Sequence, residues 1–115
     1  MSASTEATIN AFNEAFGRHD VDAVMALMTD DCIFENTLPP PDGERHVGQE
    51  AVRRVWTDFF TGTPQAKFEA EETVIAGDRA TVLWRFDWGD GDVRGIDLFK
   101  VRDGKVAEKL SYVKG

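Results

Sequence analysis

Asp97 interrupts an otherwise apolar run from Ile96 to Phe99, and strand alternation puts it on one face with Phe99 and Val101. A carboxyl group held among apolar side chains has its proton affinity tuned by that environment, which general acid or base catalysis requires. The bland alternative is an aspartate on an outward or edge face. Lys109, on the following strand, decides the chemistry through register. If the hairpin between them turns through Arg102-Asp103-Gly104 with Gly104 in a bulge, Asp97 faces Lys109 and both point inward. If Asp103-Gly104 is a two-residue turn, every pairing slips by one, Asp97 faces Leu110, and Lys109 points outward. Beside an ammonium group Asp97 stays ionised and serves as a base or counter-ion, whereas burial alone favours the protonated acid.

The other reactive side chains offer less. His46, just before Gly48, has a proton affinity suited to transfer near neutral pH and could reach a pocket mouth, although a solvated loop position explains it equally simply. His19, flanked by Arg18 and Asp20, reads as surface. Glu35 lies on the opposite strand face from Asn36, where a surface or dimer contact suits it better than catalysis. Cys32 has no histidine at a diagnostic spacing and reads as a small buried residue. Asp87, Asp90 and Asp92 look like a calcium loop only superficially, because the EF-hand spacing fails and Leu98 stands where the bidentate glutamate belongs. Paired histidines at helical spacing, a phosphate-cradling glycine motif and a cysteine cluster are all missing, so no metal and no nucleotide cofactor is expected.

Positioning these groups falls to two kinds of element. Ile9, Phe12 and Phe16 fall at helical spacing over residues 5–16, and Gly17 closes that helix. Asp20 is an apt N-cap for a second helix, whose Val21, Val24, Met25 and Met28 form one apolar stripe ended by Thr29-Asp30-Asp31. Cys32, Phe34, Asn36 and Leu38 alternate with Ile33, Glu35 and Thr37 as a short strand before the loop Pro39-Pro40-Pro41-Asp42-Gly43. After Gly48, the spacing of Val52, Val55, Trp56 and Phe59 predicts a third helix that ends between Gly62 and Pro64. From Lys67 the period changes to strands over 68–76, 80–88, 93–101 and 106–113, separated by Gly77-Asp78, Gly89-Asp90-Gly91 and Asp103-Gly104 as hairpin turns. Helices followed by consecutive hairpins imply an α+β fold with three N-terminal helices packed on one face of an antiparallel sheet. Phe12, Phe16, Phe34, Trp56, Phe59, Trp84, Phe86 and Phe99 lie on faces expected to turn inward, where they either fill a core or line a pocket.

Length and composition bound the rest. A chain of 115 residues has room for one domain, spanning 1–115. With 21 acidic against 13 basic side chains the net charge is −8, which repels phosphate backbones and anionic headgroups, so neither nucleic acid nor membrane is an expected partner. A single cysteine permits no internal disulfide, and the first residues lack the basic and apolar regions of a signal peptide, so a cytoplasmic location is expected.

The succession of elements resembles the nuclear-transport-factor-2-like superfamily over nearly the whole chain. The likeness rests on 20–28, on Phe34-Glu35-Asn36 with its loop to Gly48, and above all on Gly95-Ile96-Asp97-Leu98-Phe99 followed by Arg102-Asp103-Gly104-Lys105-Val106. In detail it is similar to the SnoaL-like branch, related to polyketide cyclases and ketosteroid isomerases. The resemblance implies a cystatin-like cone, a bent sheet whose concave face and helices enclose a pocket and whose convex face forms a homodimer. It places Asp97 where ketosteroid isomerases carry the aspartic acid of their oxyanion hole, but puts Phe12 at their essential tyrosine and Asn36 at their general base. Steroid isomerisation by that mechanism is therefore rejected. What remains is a cofactor-independent pocket protein for a small apolar molecule bearing a carbonyl or hydroxyl group. Asp97 is its acid, base or anchor, and Asn36 and Lys109 orient the ligand oxygen. An Asp-Arg-Asp hydrolase fits less well, since the inward direction of Arg85 or Arg94 is open. The competing class is a non-catalytic ligand-binding or dimerisation module of the same fold, and the sequence leaves enzyme and binder both open.

Overall fold

The computed structural model describes residues 4–114. Helix α1 spans Thr5–Gly17, and its first turn is capped by Ser4, whose hydroxyl accepts from the Ala7 amide at 3.0 Å. Helix α2 spans Val21–Ala26, with Asp20 Oδ1 accepting from the Ala23 amide at 3.1 Å. It is shorter than the apolar stripe suggests, since Met28 already opens strand β1, Met28–Glu35. The side-chain amide nitrogen of Gln49 lies 3.1–3.2 Å from the carbonyls of Met25, Met28 and Thr29, and the Val106 amide takes that of Leu27 at 2.7 Å. Those groups satisfy the carbonyls that another helical turn would have used.

After the proline loop, Arg45–Val47 forms strand β2, which the sequence does not announce because three residues are too few to show a period. Helix α3 follows over Gln49–Gly62. The four long strands are β3 (Lys67–Ala76), β4 (Arg79–Asp87), β5 (Asp92–Arg102) and β6 (Lys105–Val113). They make one six-stranded sheet in the order β2-β1-β6-β5-β4-β3. The sheet is mixed rather than wholly antiparallel, because β1 runs parallel to β6.

Two bulges set the faces of this sheet. The β5–β6 hairpin has the two-residue turn, with Asp103 and Gly104 both at positive φ and Arg102 opposite Lys105. Val101 then faces Val106, but Lys100 faces Glu108, so Ala107 is an extra residue and every later pairing moves by one. Neither expected register holds: Asp97 faces Ser111, Phe99 faces Lys109, and Lys109 nevertheless points inward. In β3, Glu71 is the extra residue between Ala70 opposite Trp84 and Glu72 opposite Leu83. That second bulge puts Ile75 opposite Ala80, on the helix-facing side, where simple alternation would have sent it outward.

The helices cover one sheet face. Phe12, fully buried, sits at the centre, its ring 5.5 Å from that of Phe99 and 5.8 Å from that of Trp56. On α3 the inward stripe runs through Val52, Trp56 and Phe60, with Phe59 half-buried beside it. His19 is half-buried: its ring stacks on Phe60 at 4.8 Å, and its Nε2 lies 3.1 Å from the Ala66 carbonyl oxygen. No helix among the described residues is long and apolar enough to cross a membrane.

Candidate functional site

The β6 bulge brings Lys109 and Ser111 to the covered face, beside Asp97. Asp97, on β5, is 1% exposed, and its Oδ1 accepts the Ser111 hydroxyl proton at 2.7 Å. Lys109 donates to Ser111 Oγ at 3.0 Å and places its ammonium 3.3 Å from Asp97 Oδ2. That second oxygen is charge-paired but off the line of a hydrogen bond, so it keeps an unused acceptor position. The ammonium also lies over two rings, 4.8 Å from the Phe34 centroid and 5.3 Å from that of Phe16. Cation–π attraction and the Asp97 charge together offset the loss of water around a buried lysine.

These groups look into a cavity of about 430 Å³. From the helical side its wall is Phe16, Val55, Trp56 and Phe59. Phe68, Trp84, Phe86, Trp88 and Val93 supply the sheet side, while Phe34, Asn36, Thr37 and Leu38 close the end of β1. Asp97, Lys109 and Ser111, with Val113 beyond them, form the remaining wall and give an apolar space its charged groups. A second depression of about 360 Å³ shares Asn36, Thr37, Ser111 and Val113, and continues past Glu35 and Tyr112 around the strand ends.

Gly95 is what allows Trp84 to lie in this wall. The two residues are cross-strand partners, and a Cβ on Gly95 would stand 2.5 Å from Trp84 Cζ2 and 2.2 Å from the Tyr112 carbonyl oxygen. The indole therefore lies across bare backbone. Its Nε1, like that of Trp56, is buried and has no hydrogen-bonding partner among the described residues.

Of the residues named from sequence, Phe16, Phe34, Asn36, Trp56, Phe59, Trp84, Phe86, Asp97 and Lys109 line the cavity. Phe12 and Phe99 do not; they are core, packed on each other behind it. His46 does not line it either. It lies on β2 with Nε2 3.0 Å from Glu44 Oε1, its ring stacked on Phe34 at 6.3 Å. Asn36 turns its Oδ1 to the Thr37 amide at 2.7 Å, leaving its NH2 group for other partners. Arg85 pairs with Asp92 at 2.9 Å and Arg94 with Glu71 at 3.1 Å, both exposed, so neither joins Asp97. Among the described residues no cluster of His, Cys, Asp and Glu could hold a metal ion. Ser111 was missed, although it stands two residues beyond Lys109 and so shares its face, as was Trp88, which continues the alternation of Trp84 and Phe86; Phe68 was missed because the β3 bulge sets it opposite Phe86.

The family model for the SnoaL-like domain matches residues 9–109, nearly the whole chain. This chain belongs to the SnoaL-like domain family. A solved NTF2-like protein of unknown function from Mesorhizobium loti is 44% identical to this SnoaL-like domain, with a TM-score of 0.87 over 96% of this chain and 91% of that one. A proposed polyketide cyclase from Sinorhizobium meliloti, 22% identical, has a TM-score of 0.81 over 96% of this chain and 100% of that one. For a proposed ketosteroid isomerase from Kribbella flavida the figures are 20% and 0.84, over 96% and 78%. The last two likenesses show the fold alone. The search of curated proteins gave no match. Within the SnoaL-like domain, Asp97 lies in the stretch 95–99 on which the family resemblance rests. The buried Phe12 has no hydroxyl to stand in for the isomerase tyrosine.

Proposed function

We propose that this SnoaL-like domain binds a small apolar organic molecule carrying a carbonyl or hydroxyl group, and that Asp97 is its acid/base or anchor. One observation carries the reading: the charged cluster Asp97–Ser111–Lys109 opens on a cavity walled, apart from Asn36 and Thr37, by aromatic and aliphatic side chains. In a catalytic version the Asp97 carboxylate takes a proton from the ligand. It returns that proton elsewhere on the ligand, an isomerase, cyclase or dehydratase type of step that needs no cofactor. The names of the fold relatives, a polyketide cyclase and a ketosteroid isomerase, support that direction. In a binding version Asp97 simply accepts a ligand hydroxyl.

The test is calorimetric titration with 2-naphthol, whose hydroxyl can reach a carboxylate. Saturable one-to-one binding is expected, weakened about tenfold by Asp97→Asn, the range of a hydrogen bond to a charged group. Folded protein that shows no saturation at millimolar 2-naphthol refutes the reading.

A homodimer through the uncovered sheet face belongs to the same proposal. Val74 and Tyr112, each 50% exposed, and Leu83 at 37% lie on that face beside the half-buried Ile96, Leu98 and Leu110. An apolar surface of this kind is ordinarily covered. Sedimentation at micromolar concentration should give twice the chain mass, and a monomer would refute it.

A further inference from the structure

The cavity does not end at its polar wall. Where β1 and β6 part, the second depression, of about 360 Å³, adjoins it, and Asn36, Thr37, Ser111 and Val113 border both spaces. The last β1–β6 pairing is Glu35 opposite Leu110, after which the Asn36 amide turns to the Glu44 carbonyl at 2.9 Å while β6 runs on to Val113, paired with β5 alone. The Lys114 amide donates to the Arg94 carbonyl at 2.8 Å, so Tyr112, two residues earlier, also turns its backbone groups to β5. The intervening Val113 directs its amide and carbonyl the other way, to the side that β1 has left. A free strand edge thus borders the depression. Six hydrogen-bonding side chains line it as well: Glu35, Asn36, Thr37, Asp42, Ser111 and Tyr112. The two spaces therefore differ in kind, one walled mainly by rings and the other by donors and acceptors.

We infer that the ligand of this domain has two parts, an apolar ring system in the cavity and an uncharged, polyhydroxylated arm such as a sugar ring in the depression between the ends of β1 and β6. The inference rests on the reading of the cavity as a ligand site and adds a second subsite with its own chemistry. Hydroxyl groups both donate and accept, which matches carboxylates at Glu35 and Asp42 beside hydroxyls at Thr37 and Ser111. Asn36 adds a donor, since its side-chain oxygen is held by the Thr37 amide at 2.7 Å and its NH2 group is the part left over. An ammonium arm only donates and would leave those donors unmatched. A carboxylate arm would meet Glu35 and Asp42 where no basic side chain lines the depression among the described residues. An alkyl arm would strip water from the polar groups and return nothing.

Probes that share a hydroxynaphthalene ring and differ in the arm joined through oxygen separate these alternatives. The arms are β-D-xylosyl, cyclohexyl, 2-aminoethyl and carboxymethyl, each built on 2,3- and on 2,6-dihydroxynaphthalene so that one hydroxyl stays free for Asp97. In calorimetric titration of the intact protein, at least one xyloside should bind about tenfold more tightly than 2-naphthol, and than the other three arms on the same ring. Asp42→Ala and Glu35→Gln change residues that line the depression but not the cavity. Each should weaken that xyloside about fivefold while moving 2-naphthol less than twofold. In a 15N–1H spectrum of the wild-type protein the Glu35 and Asp42 amides should shift with the xyloside and much less with 2-naphthol, a readout independent of how the variants fold. If 2-naphthol binds and neither xyloside binds better, or another arm binds best, the second subsite is wrong and the ring cavity stands. Losses shared equally by xyloside and 2-naphthol in the variants also overturn it. If neither 2-naphthol nor either xyloside binds, the cavity reading fails and the subsite fails with it.

Discussion

Replacing Lys109 by methionine keeps the length of the stem against Phe16 and Phe34 but removes the charge that faces Asp97. At 3.3 Å the pair attraction is about 5 kcal/mol for an effective dielectric of about 20, and much of that is spent on desolvating both ions. What the variant exposes is therefore not the pair's net worth but a carboxylate left alone in a nearly dry wall, which costs about 3–5 kcal/mol. Ser111 still donates to Oδ1, so the lower end, about 3 kcal/mol, is expected. For a chain of this size that is a fall of roughly 12 °C in Tm. Asp97→Asn is milder, about 2 kcal/mol, because the ammonium keeps Ser111 and two aromatic faces. The double variant, carrying neither charge, should lose about 2 kcal/mol less than the sum of the two single changes. Urea denaturation followed by circular dichroism, at pH 7 and matched salt, gives all four stabilities. Additivity within about 0.5 kcal/mol would mean that the two groups do not meet, and the account of the polar wall would fall with it.

Gly95→Ala should cost about 2–3 kcal/mol, because its Cβ meets the Tyr112 carbonyl and the Trp84 ring and neither is free to retreat. An unchanged Tm would show that the indole does not lie where it is placed. Gln49→Ala should cost about 1–2 kcal/mol through the three carbonyls it serves, and Gln49→Glu should cost more, since a carboxylate there faces acceptors only. If glutamate proves the milder change, its favourable position in the first turn of α3 outweighs those contacts. The Arg102 guanidinium, hydrogen-bonded to Asp31, holds that carboxyl below its ordinary value. A depressed carboxyl adds stability above the unfolded value near 3.8 and loses it as pH falls through the folded one. The urea-midpoint gap between wild type and Arg102→Ala should therefore narrow as the pH falls below the unfolded value; a gap constant with pH would contradict it.

Legibility in the sequence followed how local the cause was. Asp20, Gly48 and the turn at Asp103-Gly104 announce themselves because caps and hairpin turns are decided by a few adjacent residues. The isolation of Asp97 in an apolar run was likewise visible, as was the aromatic content of the covered face. The partner of Asp97 was not, because register depends on a bulge whose residue, Ala107, is as small and apolar as any strand residue flanking Val106. Phe12 and Phe99 could not be told from cavity-lining aromatics by spacing, since core and cavity share one face and differ only in depth. The unpartnered indoles are further still from sequence, because a missing partner is a property of everything packed around the ring.

The Ala107 bulge has a consequence that alternation makes exact enough to test. Were Ala107 paired in the ladder rather than bulged out, the two-residue turn would carry its pairing along the whole hairpin, and Val106, Glu108 and Leu110 would face the helices. Lys109 and Ser111 would then stand on the uncovered face, and Asp97 would be a buried acid beside leucine. With the bulge, Glu108, Leu110 and Tyr112 take that outer face, which gives it an apolar stripe, while the covered face receives the lysine and serine that complete the cluster. One residue thus assigns both surfaces at once: the polar group of the cavity and the apolar centre of the proposed dimer face. Inserting one alanine between Glu108 and Lys109 should turn Lys109 and Ser111 outward and so damage both together, abolishing 2-naphthol binding and dimerisation in a protein whose helical circular dichroism persists; deleting Ala107, which removes the bulge but keeps Phe99 opposite Lys109 and Asp97 opposite Ser111, should spare both. Loss of one with retention of the other would mean that the two faces do not depend on a common register.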